Sequence, residues 1–167
     1  MKVPAHIRAL VLPFTVAGVI PVAILLLTSA TSPGWNLVSP YVYIIIVAGV
    51  IVIASGLSLL AYTIKLFFVI GKGTLAPWAP AKRLVVAGPY RYVRNPMILG
   101  VLIVIAGEAI LFGSLWLAGY LALGFVVNHF YFIYSEEPGL VKRFGKEYPD
   151  YKKNVPRWIP RLKPWNG

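Results

Sequence analysis

Two polar stretches interrupt this hydrophobic sequence, and each places ionisable residues at close spacing. In the first, Gly88-Pro-Tyr-Arg-Tyr-Val-Arg-Asn-Pro-Met97, the arginines Arg91 and Arg94 are three residues apart. If this stretch forms one helical turn, both guanidinium groups project to one side and can hold a carboxylate or a phosphate. Ordinary contact with lipid headgroups is the alternative interpretation of the two arginines.

The second stretch, Asn128-His-Phe-Tyr-Phe-Ile-Tyr-Ser-Glu-Glu137, combines a histidine with two adjacent carboxylates. Helical spacing puts His129 on one face with Glu136 or Glu137. Adjacent carboxylates at the edge of a hydrophobic run are costly unless they have partners or a function. Pairing with arginines elsewhere in the chain and binding of a cationic ligand explain them equally well.

Glu108 is the one ionisable residue well inside a hydrophobic run. Such a residue is a functional candidate by default. Its depth in the run, away from the other polar residues, favours a packing role instead, either protonated or hydrogen-bonded to a serine such as Ser55 or Ser58.

The composition is that of a membrane protein. Of 167 residues, 59% are hydrophobic and 13% charged, and the mean hydropathy is +0.77, whereas about 45–50% of a soluble domain is apolar. Cysteine is absent, which excludes disulfides, thiolate nucleophiles and cysteine-ligated metals. With two histidines in the chain, we expect no metal site.

The hydrophobic runs predict an all-α, polytopic membrane helix bundle that forms a single domain over residues 1–167. Each run is long enough to cross a hydrocarbon core of roughly 30 Å or to form half of a hairpin. Residues 97–134 would extend about 57 Å as one straight helix, so we predict a turn at Gly113-Ser114. A cleaved signal peptide is the alternative for the first run. The predicted spans are residues 9–30, 41–70, 97–112 and 115–134.

The basic residues predict the orientation of these spans. Lys and Arg total 16, and none lies in residues 31–40 or near residue 113. Because basic flanks stay in the cytoplasm, we expect both termini, the connection 71–96 and the segment 135–167 on that side. This arrangement accounts for the net charge of +11 through the bilayer and its anionic headgroups, without nucleic acid as a partner.

Two further patterns predict packing. Leu140, Phe144 and Tyr148 recur every four residues, which indicates an amphipathic, interfacial C-terminal helix. Small residues in the second run predict close approach of another helix. These are Gly49, Ala54, Ser55, Gly56 and Ser58.

In combination, several fragments resemble the isoprenylcysteine carboxyl methyltransferase and phospholipid methyltransferase family, over roughly the last hundred residues. Each fragment alone is weak, whereas their order and spacing are specific. The fragments are Gly73-Thr74 with Pro77 and Pro80, Gly88-Pro-Tyr-Arg-Tyr-Val-Arg-Asn-Pro-Met97, Gly100, Glu136-Glu137, and Leu140…Phe144-Gly-Lys-Glu-Tyr148…Tyr151…Val155-Pro-Arg157…Ile159-Pro160.

The resemblance implies a membrane enzyme that transfers a methyl group from S-adenosylmethionine to a lipophilic acceptor, a carboxylate or a lipid amine. Its Arg-His-Pro region and Glu-Glu pair would build the cofactor site, closed by the C-terminal segment. Matched residue by residue, the cofactor-binding positions are Arg94, Asn95, Pro96, Gly100, Glu136 and Glu137.

The sequence departs from the family pattern at two positions. Asn95 stands where histidine is typical, and Ile98 where tyrosine is frequent. An asparagine side chain can form hydrogen bonds but cannot take a proton, so an acid or base role does not carry over to Asn95.

The residue types suggest roles for the remaining candidates. Arg91 would face the methyl acceptor, so Arg91 and Glu137 are the catalytic candidates. His129 would line the cofactor pocket or act as base for an amine acceptor. A membrane reductase of the steroid-reductase type, which binds NADPH, and a non-enzymatic lipid-binding or scaffold protein are the alternatives.

Overall fold

The computed structural model describes residues 11–72 and 81–166. These residues form helices and no strand, which confirms the predicted all-α class. Gly73, Thr74, Pro77 and Pro80 of the family-like pattern lie outside the described residues. A 3₁₀ turn at Gly88–Arg91 precedes the second half of the chain. The helices of the described part are α1 Val11–Leu27, α2 Tyr41–Val69, α3 Pro96–Phe112, α4 Leu115–Phe144 and α5 Glu147–Asn154.

α1 contains a wide π turn at Thr15–Val19, two residues before Pro21. Proline has no N–H for the usual hydrogen bond to the carbonyl four residues earlier. The helix accommodates it with the wide turn, in which the amide of Ile20 donates to the carbonyl of Thr15. The predicted span 9–30 therefore corresponds to a described helix that ends at Leu27.

α2 and α4 are both long and apolar enough to cross a bilayer, whereas α1 and α3 are shorter apolar helices. α2 leaves much of its apolar surface uncovered, since Ile44, Val47 and Ile51 are 61%, 56% and 62% exposed. A helix with so large an exposed apolar surface is typical of one surrounded by lipid. The total of four spans remains a prediction.

The structure has a break at Gly113-Ser114, where the sequence predicts a turn, because α3 ends at Phe112 and α4 begins at Leu115. Gly113 adopts a φ of 62°, a left-handed conformation that glycine adopts without strain. Ser114 caps α4, since its hydroxyl accepts a hydrogen bond from the amide of Leu117 at 3.3 Å. Pro96, at the first position of α3, needs no N–H partner there.

α4 continues beyond residue 134, where the sequence predicted its end, as far as Phe144. Pro138 lies inside this helix, and a second π turn at Phe132–Glu136 precedes it. In this turn the amide of Glu137 donates to the carbonyl of Phe132, five residues earlier. The wide turn lets the helix pass the proline, as in α1.

The predicted amphipathic helix after residue 138 is divided between α4 and α5. Gly145, with a φ of 55°, separates them. The four-residue spacing nevertheless describes the packed face, because Leu140 and Phe144 of α4 pack against a buried core that contains Tyr148 of α5. Tyr151 and Val155 complete this core, with Leu84, Val86 and Trp165 packed against it.

Contacts among the described residues divide the chain into two compact units. We call Leu59–Leu99 with Val127–Gly167 the charged unit, and Val11–Ser58 with Gly100–Val126 the apolar unit. The apolar unit has no Lys or Arg, and Glu108 is its one acidic residue.

Within the apolar unit, α2 and α3 approach closely at glycines. A Cβ atom on Gly56 would lie 2.8 Å from the amide nitrogen of Val104, and one on Gly49 would lie 2.8 Å from Cβ of Leu111. The small-residue prediction is thus confirmed for both glycines. It is wrong for Ala54, Ser55 and Ser58, which are exposed.

Candidate functional site

The carboxylate of Glu137 lies at the centre of a cluster of cations in the charged unit. Its side chain is 4% exposed. Oε1 accepts hydrogen bonds from Nη1 of Arg94 at 2.8 Å and from Nε of Arg157 at 2.7 Å. Nζ of Lys152 lies 2.6 Å from Oε2. We call these four residues the Glu137 cluster.

Three cations share this one carboxylate among the described residues. Burial of a charge is tolerated only when it is paired and hydrogen-bonded, and Glu137 meets this requirement. The cations are in excess, so the cluster can accept a further anion. Lys152 is the most exposed of them at 47%, whereas Arg94 and Arg157 are 9% and 16% exposed.

Arg94 has unused hydrogen-bonding capacity inside the cluster. Its Nη1 is bonded to Glu137, but its Nε is buried and has no hydrogen-bond partner among the described residues. A buried guanidinium donor without a partner is uncommon and costs free energy, roughly 1–3 kcal/mol. The vacant donor indicates a place where a ligand oxygen would be bound.

Backbone pairing positions Arg94 opposite the C-terminal strap, as we term residues 155–166. The amide of Arg94 donates to the carbonyl of Pro156 at 2.9 Å, directly beside Arg157. Arg161 donates its amide to the carbonyl of Tyr92 at 3.0 Å. The strap therefore lies along the Gly88-to-Pro96 stretch, although the two segments are far apart in the sequence.

Arg91 faces a different partner from Arg94. Its Nε donates to the carbonyl of Trp165 at 2.8 Å, and its own carbonyl accepts the amide of Trp165 at 3.0 Å. The two arginines, which the spacing placed on one side, thus contact separate groups. Arg91 holds the end of the strap, and Arg94 holds Glu137.

The two adjacent glutamates have different environments. Glu137 is buried, whereas Glu136 is partly exposed and accepts a hydrogen bond from the hydroxyl of Tyr131 at 3.3 Å. The π turn explains which one is buried. It aligns Glu137 with the buried Phe132, while a regular α-helical turn would align Glu136 instead.

His129 contacts Trp158 of the strap rather than the Glu137 cluster. Nε1–H of Trp158 donates to Nδ1 of His129 at 3.0 Å, and the two rings are stacked with centroids 6.5 Å apart. Because Nδ1 accepts, the hydrogen-bond pattern assigns the proton of the neutral ring to Nε2. In this arrangement the Nδ1 lone pair of His129 is occupied by Trp158.

The remaining predicted positions, Asn95, Pro96 and Gly100, lie at or near the start of α3. Asn95 directly precedes α3, and its carbonyl accepts the amide of Leu99 at 3.0 Å. Pro96 is fully buried. Gly100 belongs to the apolar unit, where its carbonyl would lie 2.9 Å from a Cβ on Gly56.

Two members of the cluster, Lys152 and Arg157, were not among the predicted site residues. Arg157 was visible only as part of the Val155-Pro-Arg157 fragment, and nothing in the local sequence distinguishes Lys152 from the adjacent Lys153. Three tyrosines that support the cluster were also missed. They are Tyr90, Tyr148 and Tyr151, all buried.

These tyrosines connect the cluster to the core. The hydroxyl of Tyr151 donates to the carbonyl of Tyr90 at 2.7 Å. Burial raises the pKa of Tyr148, and the charge of Glu137 raises it further, while Arg94 opposes this shift. Burial likewise raises the pKa of Tyr90 and Tyr151. All three phenols are therefore neutral at physiological pH.

Glu108 lies in the apolar unit and does not contribute to this cluster. The hydroxyls of the predicted partners donate instead to backbone carbonyls of their own helix, Ser55 to Val52 and Ser58 to Ala54. One carboxylate oxygen, Oε2, is buried without a hydrogen-bond partner in the described part of the chain. Ser55 and Ser58 do not bond Glu108, and the sequence prediction of that pairing is wrong.

Comparison with known proteins identifies the family. Residues 41–147 match the phospholipid methyltransferase family. The chain belongs to this family of membrane methyltransferases, which is related to isoprenylcysteine carboxyl methyltransferase. The matched region includes Arg94 and Glu137 and ends before Lys152 and Arg157.

One curated relative is the nickel-cobalt-cadmium resistance protein NccN of Alcaligenes xylosoxydans xylosoxydans. The chain is 35% identical to it over 79 residues, which are 47% of this chain and 37% of that protein. The match thus spans little more than a third of the relative. Among the described residues, no group of three or more His, Cys, Asp or Glu is placed to hold a metal ion.

Proposed function

We propose that this protein transfers a methyl group from S-adenosylmethionine to a lipophilic acceptor in the bilayer. The observation that carries the proposal is the Glu137 cluster, in which three cations surround one carboxylate and of which Arg94 and Glu137 lie in the family-matching part of the chain. The cofactor's amino-acid group offers a carboxylate that would fit it. The buried, unpartnered Nε of Arg94 supports this fit, because a carboxylate oxygen of the cofactor would satisfy this donor.

We assign Arg94 and Arg157 to the cofactor's carboxylate. Glu137 then positions these two arginines, because its own oxygens are already occupied by three cations. Glu136 is the remaining carboxylate of the pair and would hold the cofactor's amino group. Arg91 would keep the strap closed over the site through its two bonds to Trp165.

S-adenosylmethionine, when bound, supplies an electrophilic methyl group on a positively charged sulfur. The chain's own contribution is then binding, orientation and exclusion of water, which can account for much of the rate of such a reaction. We assign no side chain of the cluster to the role of base, since Tyr148 is neutral and Glu137 is ion-paired with three cations. The acceptor is therefore a group that is nucleophilic without assistance, a carboxylate or a neutral lipid amine.

The bilayer supplies the acceptor. We propose that the protein crosses the membrane several times, with both termini in the cytoplasm, so that the cofactor enters from water and the acceptor from lipid. The two long apolar helices support membrane insertion, and the basic residues support the orientation.

Binding of S-adenosylmethionine and of NADPH to the detergent-purified protein tests the proposal against the reductase alternative. We expect heat release with S-adenosylmethionine only, and transfer of its labelled methyl group to an extractable lipid. Arg94→Ala and Arg157→Ala should each weaken cofactor binding by about tenfold or more, because each removes a charge-assisted hydrogen bond.

Arg161→Ala is the matched control, since this strap arginine bonds the carbonyl of Asn154 outside the cluster. Its cofactor affinity should equal that of the parent. Binding of NADPH in place of S-adenosylmethionine, or parent-like affinity in folded Arg94→Ala and Arg157→Ala proteins, would refute the assignment.

A further inference from the structure

Trp158 attaches the strap to the one histidine among the described residues. Its indole Nε1–H donates to Nδ1 of His129 at 3.0 Å, and the two rings are stacked with their centroids 6.5 Å apart. Trp158 also contacts Phe132 of α4 edge to face, at a centroid distance of 5.7 Å. One indole ring therefore joins the strap to α4.

This attachment lies next to the Glu137 cluster. Trp158 directly follows Arg157, whose Nε donates to the carboxylate of Glu137 at 2.7 Å. Phe132 is aligned with Glu137 by the π turn of α4. Because neighbouring Cα atoms are only about 3.8 Å apart, a displacement of Trp158 would also displace Arg157. The bond from Trp158 to His129 thus helps to position an arginine of the cluster.

The hydrogen bond exists only while the imidazole is neutral. A neutral imidazole has one nitrogen that accepts, whereas an imidazolium has an N–H on both nitrogens and accepts at neither. Protonation of His129 would direct a ring N–H at the indole N–H of Trp158, two donors at hydrogen-bond distance. Histidine is the side chain that ordinarily changes charge between about pH 5 and 8. We therefore expect the bond near neutral pH and its loss in mild acid.

The stacking of the two rings does not offset this loss. An indole attracts a cation that lies over its face within roughly 6 Å of the ring centroid, whereas the centroids of His129 and Trp158 are 6.5 Å apart. The indole directs its N–H edge at Nδ1 instead, and the edge of an aromatic ring is its positive part. A charged imidazole would therefore be repelled by Trp158.

The other charged residues of these two elements titrate outside this range. Lysine and arginine ordinarily lose their charge only above about pH 10, and carboxylates lose theirs near about pH 4. A change in the attachment of the strap between about pH 5 and 8 is therefore assigned to the imidazole. The charged residues are Arg157, Arg161 and Lys163 on the strap, and Glu136 and Glu137 in the two turns of α4 that follow His129.

We propose that the hydrogen bond from Trp158 to His129 is a pH-sensitive latch on the strap. With a neutral imidazole the latch holds Arg157 in the Glu137 cluster, and with an imidazolium it opens and cofactor binding weakens. The inference rests on the proposed function, for which it supplies a regulation of cofactor affinity. By linkage, a cofactor that favours the closed strap also favours the neutral imidazole, so its binding releases a proton.

Calorimetry of the detergent-purified full chain with S-adenosylmethionine at about pH 5.5 and about pH 8 measures the effect of the latch. The reference is His129→Gln, because a glutamine oxygen accepts the indole N–H but does not titrate. It also corrects for titration of the cofactor's own amino group. We expect the parent to lose about fivefold or more in affinity at the lower pH beyond the change in His129→Gln, the effect of a donor left without its partner.

Proton release provides a second measurement on the same two proteins. Binding heats in buffers of different ionisation enthalpy, at about pH 6.5 where a histidine is ordinarily half charged, give the number of protons exchanged. The parent should release more protons on binding S-adenosylmethionine than His129→Gln does. Equal numbers would exclude the imidazole as the group that responds.

Trp158→Phe retains an aromatic ring and removes the indole N–H. Its affinity for S-adenosylmethionine should be low at both pH values and should show the same pH dependence as His129→Gln. Trp165→Phe is the matched control on the strap, because the described hydrogen bonds of Trp165 use its backbone atoms. It should keep the pH response of the parent.

The motion of the strap is measured without any cofactor. Leu162 is 99% exposed and the parent has no cysteine, so a nitroxide on Leu162→Cys reports on the strap alone. We expect its mobility to increase from about pH 8 to about pH 5.5, and to stay constant when His129→Gln is added. Circular dichroism at both pH values verifies that each protein is folded.

The latch and the proposed function can fail separately. Equal pH dependence in the parent and His129→Gln, a parent-like response in folded Trp158→Phe, or a nitroxide that does not respond to pH would overturn the latch. Methyl transfer by such a parent protein would leave the enzyme intact. A nitroxide response that His129→Gln abolishes, in a parent that does not bind S-adenosylmethionine, would leave the latch and refute the proposed function.

Discussion

The buried carboxylate of Glu137 is in contact with three cations in place of solvent. Removing an ion from water is expensive, and the surrounding charges offset that cost only when the geometry is good. At Glu137 the geometry is good, with contacts of 2.6 to 2.8 Å to Arg94, Lys152 and Arg157. The carboxylate therefore holds together three segments of the charged unit: the stretch before α3, helix α5 and the strap.

Glu137→Gln should destabilise the protein by about 3–5 kcal/mol, because it leaves buried cations without their counter-ion. Chemical or thermal unfolding in detergent measures the loss. Glu136→Gln is the matched control and should cost less than about 1 kcal/mol, since Glu136 is partly exposed and bonded only to Tyr131. Equal losses of stability in the two variants would contradict the different burial and pairing of Glu136 and Glu137.

His129→Gln should retain most of the methyl-transfer rate. Nδ1 of His129 accepts a hydrogen bond from Trp158, and loss of a general base typically lowers the rate by about 10²–10⁴. We expect a decrease of less than about tenfold, measured with labelled S-adenosylmethionine. A decrease of 10²-fold or more in a folded protein, by the scale of general-base catalysis, would show that the histidine takes a proton from the acceptor.

At the scale of elements, the π turn in α4 determines which glutamate reaches the cluster. Both π turns of the described chain end two residues before a proline, at Pro21 and Pro138. A proline has no backbone N–H to donate to the carbonyl of the preceding turn. A wide turn before the proline therefore loses no hydrogen bond that a regular helix would have kept. In α4 the wide turn also rotates Glu137 to the face of Phe132.

Deletion of Ser135 should preserve cofactor binding. It converts the wide turn into a regular one, and the amide of Glu137 can still bond the carbonyl of Phe132, so Glu137 keeps its direction. Insertion of an alanine after Ser135 should abolish binding, because an added residue rotates the following helix by about 100°. Calorimetry with S-adenosylmethionine compares the pair, and the opposite order of affinities would refute the role of the turn.

At the scale of the molecule, the described residues divide into an apolar unit and a charged unit. The apolar unit contains no Lys or Arg, and its glycines bring α2 and α3 together where lipid provides no hydrophobic drive for association. The Glu137 cluster belongs to the charged unit.

Single cysteines can determine the topology, because the parent has none. Four spans with cytoplasmic termini place Ser32 and Ser114 outside the cell and Lys163 inside. We expect a membrane-impermeant maleimide to label Ser32→Cys on intact cells and Lys163→Cys only after permeabilisation. The same accessibility at both positions would exclude the predicted orientation.

Local rules were sufficient to predict the helices, because each depends on residues within a few positions. Hydrophobic length predicted α2, and Gly113 and Ser114 predicted the break between α3 and α4. The same rules predicted that α4 ends at residue 134, whereas it continues past Pro138 to Phe144. Proline excludes one hydrogen bond but does not determine whether the helix ends or widens, since packing of the following turn decides between them.

The sequence by itself determined the class of the protein: a basic, cysteine-free membrane chain of helices with the ordered fragments of a methyltransferase family. Only the tertiary structure decided the partners. Arg94 and Glu137 are 43 residues apart, and Trp158 and His129 are 29 apart, so no spacing rule connects them. Which glutamate is buried and where the histidine's proton resides follow from the packing of α4, α5 and the strap, because hydrogen bonds over such separations form only after the chain has folded.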